Sequence, residues 1–439
     1  MEDQKNFILA LVLSGIVMMG YWFFFAKPIA EEAQLKAQEQ QAQVEAVQAN
    51  PELKVVPPKP RGTISNPGQR IKIDTPSLYG SFLVEGSRFD DIHLKNYKQT
   101  LDEDRDNLIL LSPEGTEHAA YIFDGWTLEN GGSSANTVWS VVSGGTLTPE
   151  TPVSLFYAGE GYQIERTVSV DDRYLITLDD KVTNTSSSEI SLIREGASRQ
   201  HGLPDDLTNF FILQEGPIGI VDGKLWDMKY KKLTKKRTET QVGESGWVGL
   251  TDKYWLSAAI APQGKPMTAE YKFKSVNDVE VYEAAYSLDP MTLTAGTTIT
   301  SKGYVFAGAK DKDVLAGYQN NEATAIAELE RAIDWGFLRI LVRPMTWALS
   351  YLGHSTGNFG IGILILTFII KIVLFPLFNK QYEGQAKMKK LQPRVKKLQD
   401  VYSDDPMKMR QEMMALYKKE GANPAAGCLP IIPTIFIFF

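Results

Sequence analysis

Hydrophobic residues are concentrated in a few blocks along this chain. Phe7 to Ala26 ("FILALVLSGIVMMGYWFFFA") is a run of twenty uncharged residues, and Phe359 to Asn379 is a second apolar run. A bilayer core of roughly 30 Å requires about 20 residues of helix, so both runs predict membrane spans. A third apolar block begins near Cys428 and Pro430 and reaches the end of the sequence. Its few residues predict the start of a truncated span over 421–439.

A cleaved signal peptide is the alternative for the first run. Its apolar core would have about 7 to 15 residues and would end at a small-x-small site. Here the run ends in "YWFFFAKP", which is aromatic and then basic, as at a membrane interface. We therefore expect an uncleaved anchor over 1–26. The Ala-, Gln- and Glu-rich stretch that follows, ending in "VVPPKPRG", predicts a tether over 27–64.

Short segments that alternate between apolar and polar residues fill positions 65–310. Examples are "QRIKIDT", "YQIERTVSV" and "TITSKGYVFAG", separated by clusters rich in Gly, Asn, Asp and Pro. A period of two is typical of half-buried strands. The pattern predicts one large all-β domain, a sandwich or a barrel.

A spacing of three to four residues replaces this alternation after Asn321. The apolar positions are Ile326, Leu329, Ile333, Phe337 and Leu341. This spacing predicts an amphipathic helix over 321–353 that lies at the membrane surface and bends near Pro344. A helix packed on the β domain is the alternative.

Basic residues follow the second apolar run. Between 380 and 398 a single acidic residue, Glu383, stands against Lys380, Lys387, Lys389, Lys390, Arg394, Lys396 and Lys397. By the positive-inside rule this side is cytoplasmic. The run over 357–379 is then a transmembrane helix entered from outside, which places the β domain outside the cytoplasm and the N-terminus inside.

Two apolar stripes predict a cytoplasmic helical hairpin over 380–420. One stripe is Met388, Leu391, Val395, Leu398 and Tyr402, and the other is Met409, Met413 and Leu416. "SDDP" between them predicts a helix start with Asp405 as cap and Pro406 in the first position. The basic face fits either lipid headgroups or a docking partner such as a ribosome or targeting factor.

Lys371 lies inside the second apolar run, about 3 Å from its middle at roughly 1.5 Å per residue. A charge at mid-bilayer costs roughly 2.5–3.5 kcal/mol on insertion scales. Snorkelling to the inner interface is one solution. The other is a water-filled cavity among helices, serving either ion transport or a polar polypeptide segment. The visible spans contain no Asp, Glu or His, which disfavours an ion or proton relay.

Other chemistry is sparse. The basic stretch "KYKKLTKKR" (229–237) fits nucleic acid by composition, but the topology favours a solvated external loop. His201 with Asp205 and Asp206 is a candidate for acid–base or metal chemistry, but the chain has only four histidines and no second set of ligands. Cys428 is the single cysteine, so an intrachain disulfide is excluded. The sequence contains no nucleotide loop, nucleophile elbow or zinc spacing. These features predict no enzyme, no cofactor and no direct nucleic-acid partner.

Two segments carry a resemblance to a known family. "TFIIKIVLFPLFNKQYEGQAKMKKLQPRVKKLQ" and "RQEMMALYKKEGANPAAGCLP", together with the anchor, the β domain and the amphipathic helix, closely resemble the YidC/Oxa/Alb family of membrane protein insertases. The specific match runs from about Gly357 to Pro430. The β domain agrees in position and size.

The resemblance implies a multi-pass insertase and chaperone of the bacterial inner membrane, acting alone or with the Sec translocon on nascent membrane proteins. It implies a β-supersandwich-like periplasmic domain and a hydrophilic groove with a positive residue, at the position of Lys371. It further implies that the hairpin recruits partners, here through Lys389, Lys390, Arg394, Lys396 and Lys397. The next span, beginning near Cys428 and Pro430, would be a slide for the substrate helix.

Three departures from the family pattern stand out. Many members have arginine at the position of Lys371, which leaves the positive charge but not bidentate pairing. "PIIPTIFIFF" lacks the usual Gln-Pro pair, and the family normally continues for three spans beyond the hairpin.

The alternative function is a membrane-anchored periplasmic domain that binds carbohydrate.

Overall fold

The computed structural model describes residues 68–100, 106–129, 132–134, 137–204, 207, 213–276, 279–335, 339–403 and 405–421. All of these residues lie in one compact unit, Ile64–Phe439. The predicted anchor and tether, at 1–26 and 27–64, lie outside the described residues, as does 422–439.

Strands dominate the chain from residue 70 to residue 309. In chain order they are β1 (Arg70–Asp74), β2 (Leu78–Leu83), β3 (Arg88–Lys98), β4 (Asn107–Leu111), β5 (Ala120–Leu128), β6 (Ser140–Ser143), β7 (Thr146–Leu147), β8 (Val153–Ala158), β9 (Tyr162–Val170), β10 (Leu175–Asn184), β11 (Ile190–His201), β12 (Gly216–Val221), β13 (Lys224–Asp227), β14 (Thr238–Gly243), β15 (Gly246–Thr251), β16 (Trp255–Ile260), β17 (Met267–Val276), β18 (Val279–Leu288), β19 (Met291–Leu293) and β20 (Thr298–Ala309).

The strands form two sheets. One has eleven strands. Nine of them follow the order β14-β17-β18-β11-β5-β3-β2-β1-β7, and the other two lie off this path, with β4 paired to β3 and β19 paired to β11. The other has nine strands in the order β13-β12-β15-β16-β20-β10-β9-β8-β6. Among the described strands, pairing is antiparallel apart from the short parallel pair of β1 with β7. The prediction of a large all-β domain is confirmed, in the form of a two-sheet sandwich.

Alternation along each strand builds the core between the sheets. In β9, for example, Ile164 and Val168 are buried while Glu165 and Thr167 face outward. The period of two in the sequence therefore sorts apolar side chains inward, which is the main source of stability in such a sandwich.

Four charged side chains also lie inside this core. Arg166 on β9 and Asp180 on β10 are directly opposite in register, with Nε 2.7 Å from Oδ1. Asp124 on β5, in the other sheet, accepts from Arg166 at 2.8 Å and from Arg194 at 3.0 Å. Arg194 on β11 crosses to the carbonyl of Ser301 on β20 at 2.8 Å. The network therefore ties the two sheets together.

Burial disfavours the charged form of Asp180, but the guanidinium groups of Arg166 and Arg194 outweigh it and hold the pKa of Asp180 below its usual value. The indole of Trp126 donates to the same carboxylate at 2.8 Å. Because these buried ions have hydrogen-bond partners, their desolvation is offset.

Five α-helices accompany the strands in the described residues. They are α1 (Tyr230–Lys236), α2 (Lys312–Asn320), α3 (Arg339–Thr356), α4 (Phe359–Val401) and α5 (Pro406–Lys419).

The helix predicted from Asn321 begins only at Arg339. Ala325 and Glu328 have positive φ values of 43° and 52°, which interrupt any α-helix before a short 3-10 turn at Leu329–Ala332. Ile326 and Leu329 are fully buried in the β-domain core. The prediction of an amphipathic helix over 321–353 is therefore wrong in its first half. The apolar residues there pack into the core of the β domain and do not form one face of a helix.

The basic stretch 229–237 also differs from its prediction as a loop. It forms α1, with Tyr230 and Leu233 buried three residues apart. Tyr230 donates from its hydroxyl to Gln200 at 3.2 Å. The two apolar contacts hold the helix on the sheet and leave its lysines on the other face.

Candidate functional site

Helix α4 contains the predicted Lys371 and begins at a well-formed cap. The side chain of Asn358 accepts from the backbone N–H of Gly360 at 2.8 Å and of Ile361 at 3.4 Å. Such a cap satisfies helix N–H groups that have no intrahelical acceptor. Among the described residues α4 is the one helix long and apolar enough to cross a membrane.

Large apolar side chains of α4 are exposed. Leu364, Phe368 and Val373 have 71%, 65% and 68% of their surface accessible. A soluble protein rarely exposes so much contiguous apolar surface. The exposure is consistent with contact to lipid tails, as the composition of the run predicts.

Lys371 is exposed on this helix. At roughly 1.5 Å per residue it lies about 18 Å from Phe359 and about 12 Å from Asn379 along the axis. No ion pair joins it to an acidic side chain within the described part of the chain. The charge therefore lies well inside the apolar run, and its neighbours among the described residues supply no acidic partner.

Two further polar groups lie close to Lys371 on α4. Thr367 is four residues earlier, so the two side chains share a helix face. Pro376 lies inside the helix and has no N–H, so the carbonyl of Ile372 lacks its usual intrahelical donor. Together these groups form a polar patch in the middle of the apolar helix.

Helix α3 packs tightly against the start of α4. Gly353 and Gly362 are both buried, and a Cβ added to Gly362 would lie 3.0 Å from the Gly353 nitrogen. The chain turns between the helices at Gly357, whose φ of +67° suits glycine. Small residues at this contact allow the two backbones to approach.

The other end of α3 is linked to the β domain. Arg343 pairs with Glu330 at 2.9 Å and lies over the ring of Trp335. Apolar side chains on α3 remain exposed, among them Trp347 and Tyr351, whose rings stack with centroids 5.9 Å apart. Aromatic residues of this kind prefer the membrane–water interface.

Beyond the apolar run α4 continues without a break to Val401, so the predicted span and the first helix of the predicted hairpin are one continuous helix. Asp405 caps α5 by accepting from Lys408 N–H at 3.0 Å, and Pro406 occupies the first turn, as the sequence predicts. Arg394 on α4 pairs with Glu420 after α5 at 2.7 Å. The chain therefore folds back on itself as a helical hairpin.

The hairpin has an apolar seam and a basic exterior. Leu391 is buried, and Met409, Met413 and Leu416 are partly shielded. The predicted recruitment residues are all exposed: Lys389, Lys390, Arg394, Lys396 and Lys397. The structure thus separates the two faces that the sequence pattern indicated.

Several other candidate residues do not join this site. Cys428 and Pro430 lie outside the described residues, and so do Asp205 and Asp206. His201 lies at the end of β11, where burial and the nearby guanidinium of Arg199 lower its pKa. Within the described residues no group of three or more His, Cys, Asp or Glu side chains could hold a metal ion.

Sequence reasoning missed three parts of this site. The cap at Asn358 was signalled by an Asn directly before an apolar run, but the contact between Gly353 and Gly362 joins two helices and has no local signal. The link from Arg343 to Glu330 depends on the positive φ at Glu328 and on the 3-10 turn at Leu329–Ala332.

Two family models match the chain. The YidC periplasmic domain matches residues 70–348, and the 60Kd inner membrane protein matches residues 351–439. A protein from Maricaulis maris named membrane protein insertase YidC is 40% identical over 448 residues, which cover 100% of this chain and 75% of that protein. A protein of the same name from Bradyrhizobium diazoefficiens is 37% identical over 474 residues, covering 100% and 76%. A solved crystal structure of an active YidC insertase is 16% identical, with a TM-score of 0.28 over 92% of this chain and 76% of that chain.

Proposed function

The chain belongs to the YidC family of membrane protein insertases, and on this basis we propose that it inserts nascent membrane proteins through a hydrated groove in which Lys371 supplies the positive charge. The observation that carries the proposal is the exposed Lys371 on an apolar helix, without an acidic partner in the described part of the chain. An intramembrane charge of this kind is a functional-site feature by default.

The polar patch supplies a physical route for this function. Lys371, Thr367 and the carbonyl of Ile372, which cannot accept from Pro376, attract water into the apolar layer, which lowers the cost of moving a short polar tail of the substrate across. A positive charge also attracts acidic groups on that tail. The exposed apolar faces of α4 then receive the substrate's transmembrane helix. No nucleotide or cofactor takes part.

We place this chain in the bacterial inner membrane as a multi-pass protein. The basic hairpin lies in the cytoplasm, α4 crosses the bilayer, and the β domain lies in the periplasm, with the N-terminus cytoplasmic. The segment from Cys428 and Pro430 would provide the slide for the substrate helix. The chaperone role and cooperation with the Sec translocon belong to the same proposal.

The hairpin offers the surface that recruits partners. Its basic side chains are exposed, whereas its apolar residues are directed into the seam between α4 and α5. A ribosome or a targeting factor with an acidic surface fits this charge, and anionic lipid headgroups compete for it. Replacing Lys389, Lys390, Lys396 and Lys397 with Gln should slow the delivery of substrates to the membrane. The positive charge of Lys371 within the apolar run is unchanged in this variant.

Changing the charge at position 371 tests the role of Lys371. In a strain depleted of its own insertase, Lys371→Ala and Lys371→Glu should reduce insertion of single-span substrates with acidic tails, and Lys371→Arg should retain it. Insertion is measured by protease protection of the substrate tail. Unimpaired insertion by Lys371→Glu would refute the role.

A matched pair of double variants separates charge from position. Ile369→Lys with Lys371→Ile keeps the composition and shifts the charge by only about 3 Å in depth, but turns it to the opposite helix face. Thr367→Lys with Lys371→Thr keeps the face and shifts the charge by about 6 Å. We expect the first double variant to lose substrate insertion and the second to retain it in part.

A further inference from the structure

A lysine-rich face is the main feature of α1. Tyr230 and Leu233 anchor the helix on the β domain, while Lys231, Lys232 and Lys235 are exposed. Positions three and four residues apart share a helix side, so these three ammonium groups point in similar directions. The formal net charge of the chain is -7, which makes this a basic face on an acidic protein.

The lysine face is connected to the first turn of α3. Two adjoining cavities, of about 530 and about 390 Å³, share Gln214, Asp227 and Asp334 in their walls. The lysines of α1 line the first cavity, and Trp335, Arg339 and Ile340 line the second. A continuous groove therefore runs from the basic face of α1 to the start of α3.

Helix α3 leads directly to α4. Its exposed side chains include Ile340, which is 91% accessible, and the stacked rings of Trp347 and Tyr351. Only the turn at Gly357 separates α3 from the capped start of α4. A surface at which apolar and aromatic groups adjoin lysines has the chemistry of a peripheral membrane-binding face.

We propose that the lysine face of α1 docks on anionic phospholipid headgroups of the bilayer that α4 crosses, and so holds the β domain in one orientation above the membrane. The proposal rests on α4 as a membrane span, which belongs to the proposed function. Asp227 and Asp334 are the acidic residues in the groove, against Lys229 and the three exposed lysines. The balance of charge favours an anionic surface over a neutral one.

The expected strength follows from the number of lysines. Each basic residue close to an anionic leaflet changes the binding constant roughly fivefold, so three give roughly a 100-fold change in the ratio of docked to undocked protein. The attraction falls off within about 8 Å at physiological ionic strength. Docking should therefore be lost at high salt.

Fluorescence quenching measures the docking in the full chain. Cys428 is replaced by Ser, and a fluorophore is attached at Thr238→Cys, an exposed position two residues after α1, at the start of β14. The protein is reconstituted into phosphatidylcholine vesicles with quencher-labelled headgroups, with or without phosphatidylglycerol. We expect quenching to rise with phosphatidylglycerol and to fall when salt is added. Lys231→Gln with Lys232→Gln and Lys235→Gln should abolish the rise.

A matched triple variant controls for net charge. Lys98→Gln with Lys181→Gln and Lys302→Gln removes three exposed lysines from other faces of the β domain and should leave the rise intact. The docking proposal would be overturned if quenching did not change with phosphatidylglycerol. It would also be overturned if both triple variants reduced the rise equally. Substrate insertion by the Lys371 series in the same vesicles reports separately on the proposed function, so either proposal can fail alone.

Discussion

The backbone of Gly362 on α4 lies directly against the backbone of Gly353 on α3. A Cβ on Gly362 would lie 3.0 Å from the nitrogen and 3.2 Å from the Cα of Gly353. Because the neighbouring atoms are backbone, they cannot turn aside as a flexible side chain would. This close contact therefore restricts the angle at which α3 meets α4.

Replacing Gly362 with Leu should separate α3 from α4. The added side chain overlaps the α3 backbone, and overpacking of this kind costs about 1–3 kcal/mol. Spin labels at Tyr351 and Leu364, both exposed, should report a longer and broader distance by pulsed electron resonance. Gly360→Leu is the control, because its added Cβ meets only the movable Asn358 side chain. An unchanged distance in Gly362→Leu would show that the contact does not set the helix angle.

Removing Arg194 should destabilise the β domain strongly. Arg194→Met leaves Asp124 buried with one guanidinium fewer and the carbonyl of Ser301 without its donor. Breaking a buried ion pair in this way costs about 3–5 kcal/mol. The midpoint of denaturant unfolding, followed by tryptophan fluorescence, should fall accordingly.

An exposed lysine on β20, the strand whose Ser301 carbonyl Arg194 contacts, gives the control for that experiment. Lys302, next to Ser301 on β20, pairs with Asp179 at 3.6 Å on the solvent side. Exposed pairs contribute about 0–1 kcal/mol, so Lys302→Met should leave the midpoint nearly unchanged. Equal losses in the two variants would contradict a special role for the buried network.

Lys310 should make the stability of the β domain depend on pH. Burial lowers the pKa of Lys310 from 10.5 to about 8, although its Nζ donates to the Asp252 carbonyl at 2.6 Å. Below about pH 8 both folded and unfolded chains hold the proton, and the penalty for the buried charge is fully present. Between pH 8 and 10.5 the unfolded chain binds more protons, so the penalty shrinks as pH rises.

Comparison with Lys310→Met isolates this contribution. The free energy of unfolding of the native protein, minus that of the variant, should increase from pH 7.5 to pH 10. Other titrating groups cancel in the difference. A difference that stays constant over this range, or that decreases, would contradict a lowered pKa for Lys310.

The hairpin is the part of this fold that the local sequence predicts best. The three-to-four spacing of Met409, Met413 and Leu416 marks the shielded side of α5, and Asp405 with Pro406 marks its start. Both signals act within a few residues, through helix geometry and capping. The alternation of the strands is local in the same way.

Tertiary contacts decided the parts that the sequence pattern did not predict. Ile326 and Leu329 have a helical spacing, but the β-domain core accepts them in a chain that turns through positive φ at Ala325 and Glu328. In α1 the lysines gave a loop-like composition, while Tyr230 and Leu233 supplied enough burial for a helix. Position along the chain cannot reveal such contacts, because their partners lie far away in sequence.

Removing the cap at Asp405 should loosen the first turn of α5. Asp405→Ala deletes the acceptor for Lys408 N–H, which costs about 1 kcal/mol, whereas Asp405→Asn keeps a capping oxygen. Hydrogen exchange of the amides at 408–410 should be roughly fivefold faster in Asp405→Ala and nearly unchanged in Asp405→Asn. Asp400→Ala, near the end of α4, removes the same charge without touching a cap. If Asp400→Ala accelerates exchange as much as Asp405→Ala does, loss of negative charge and not loss of the cap is responsible.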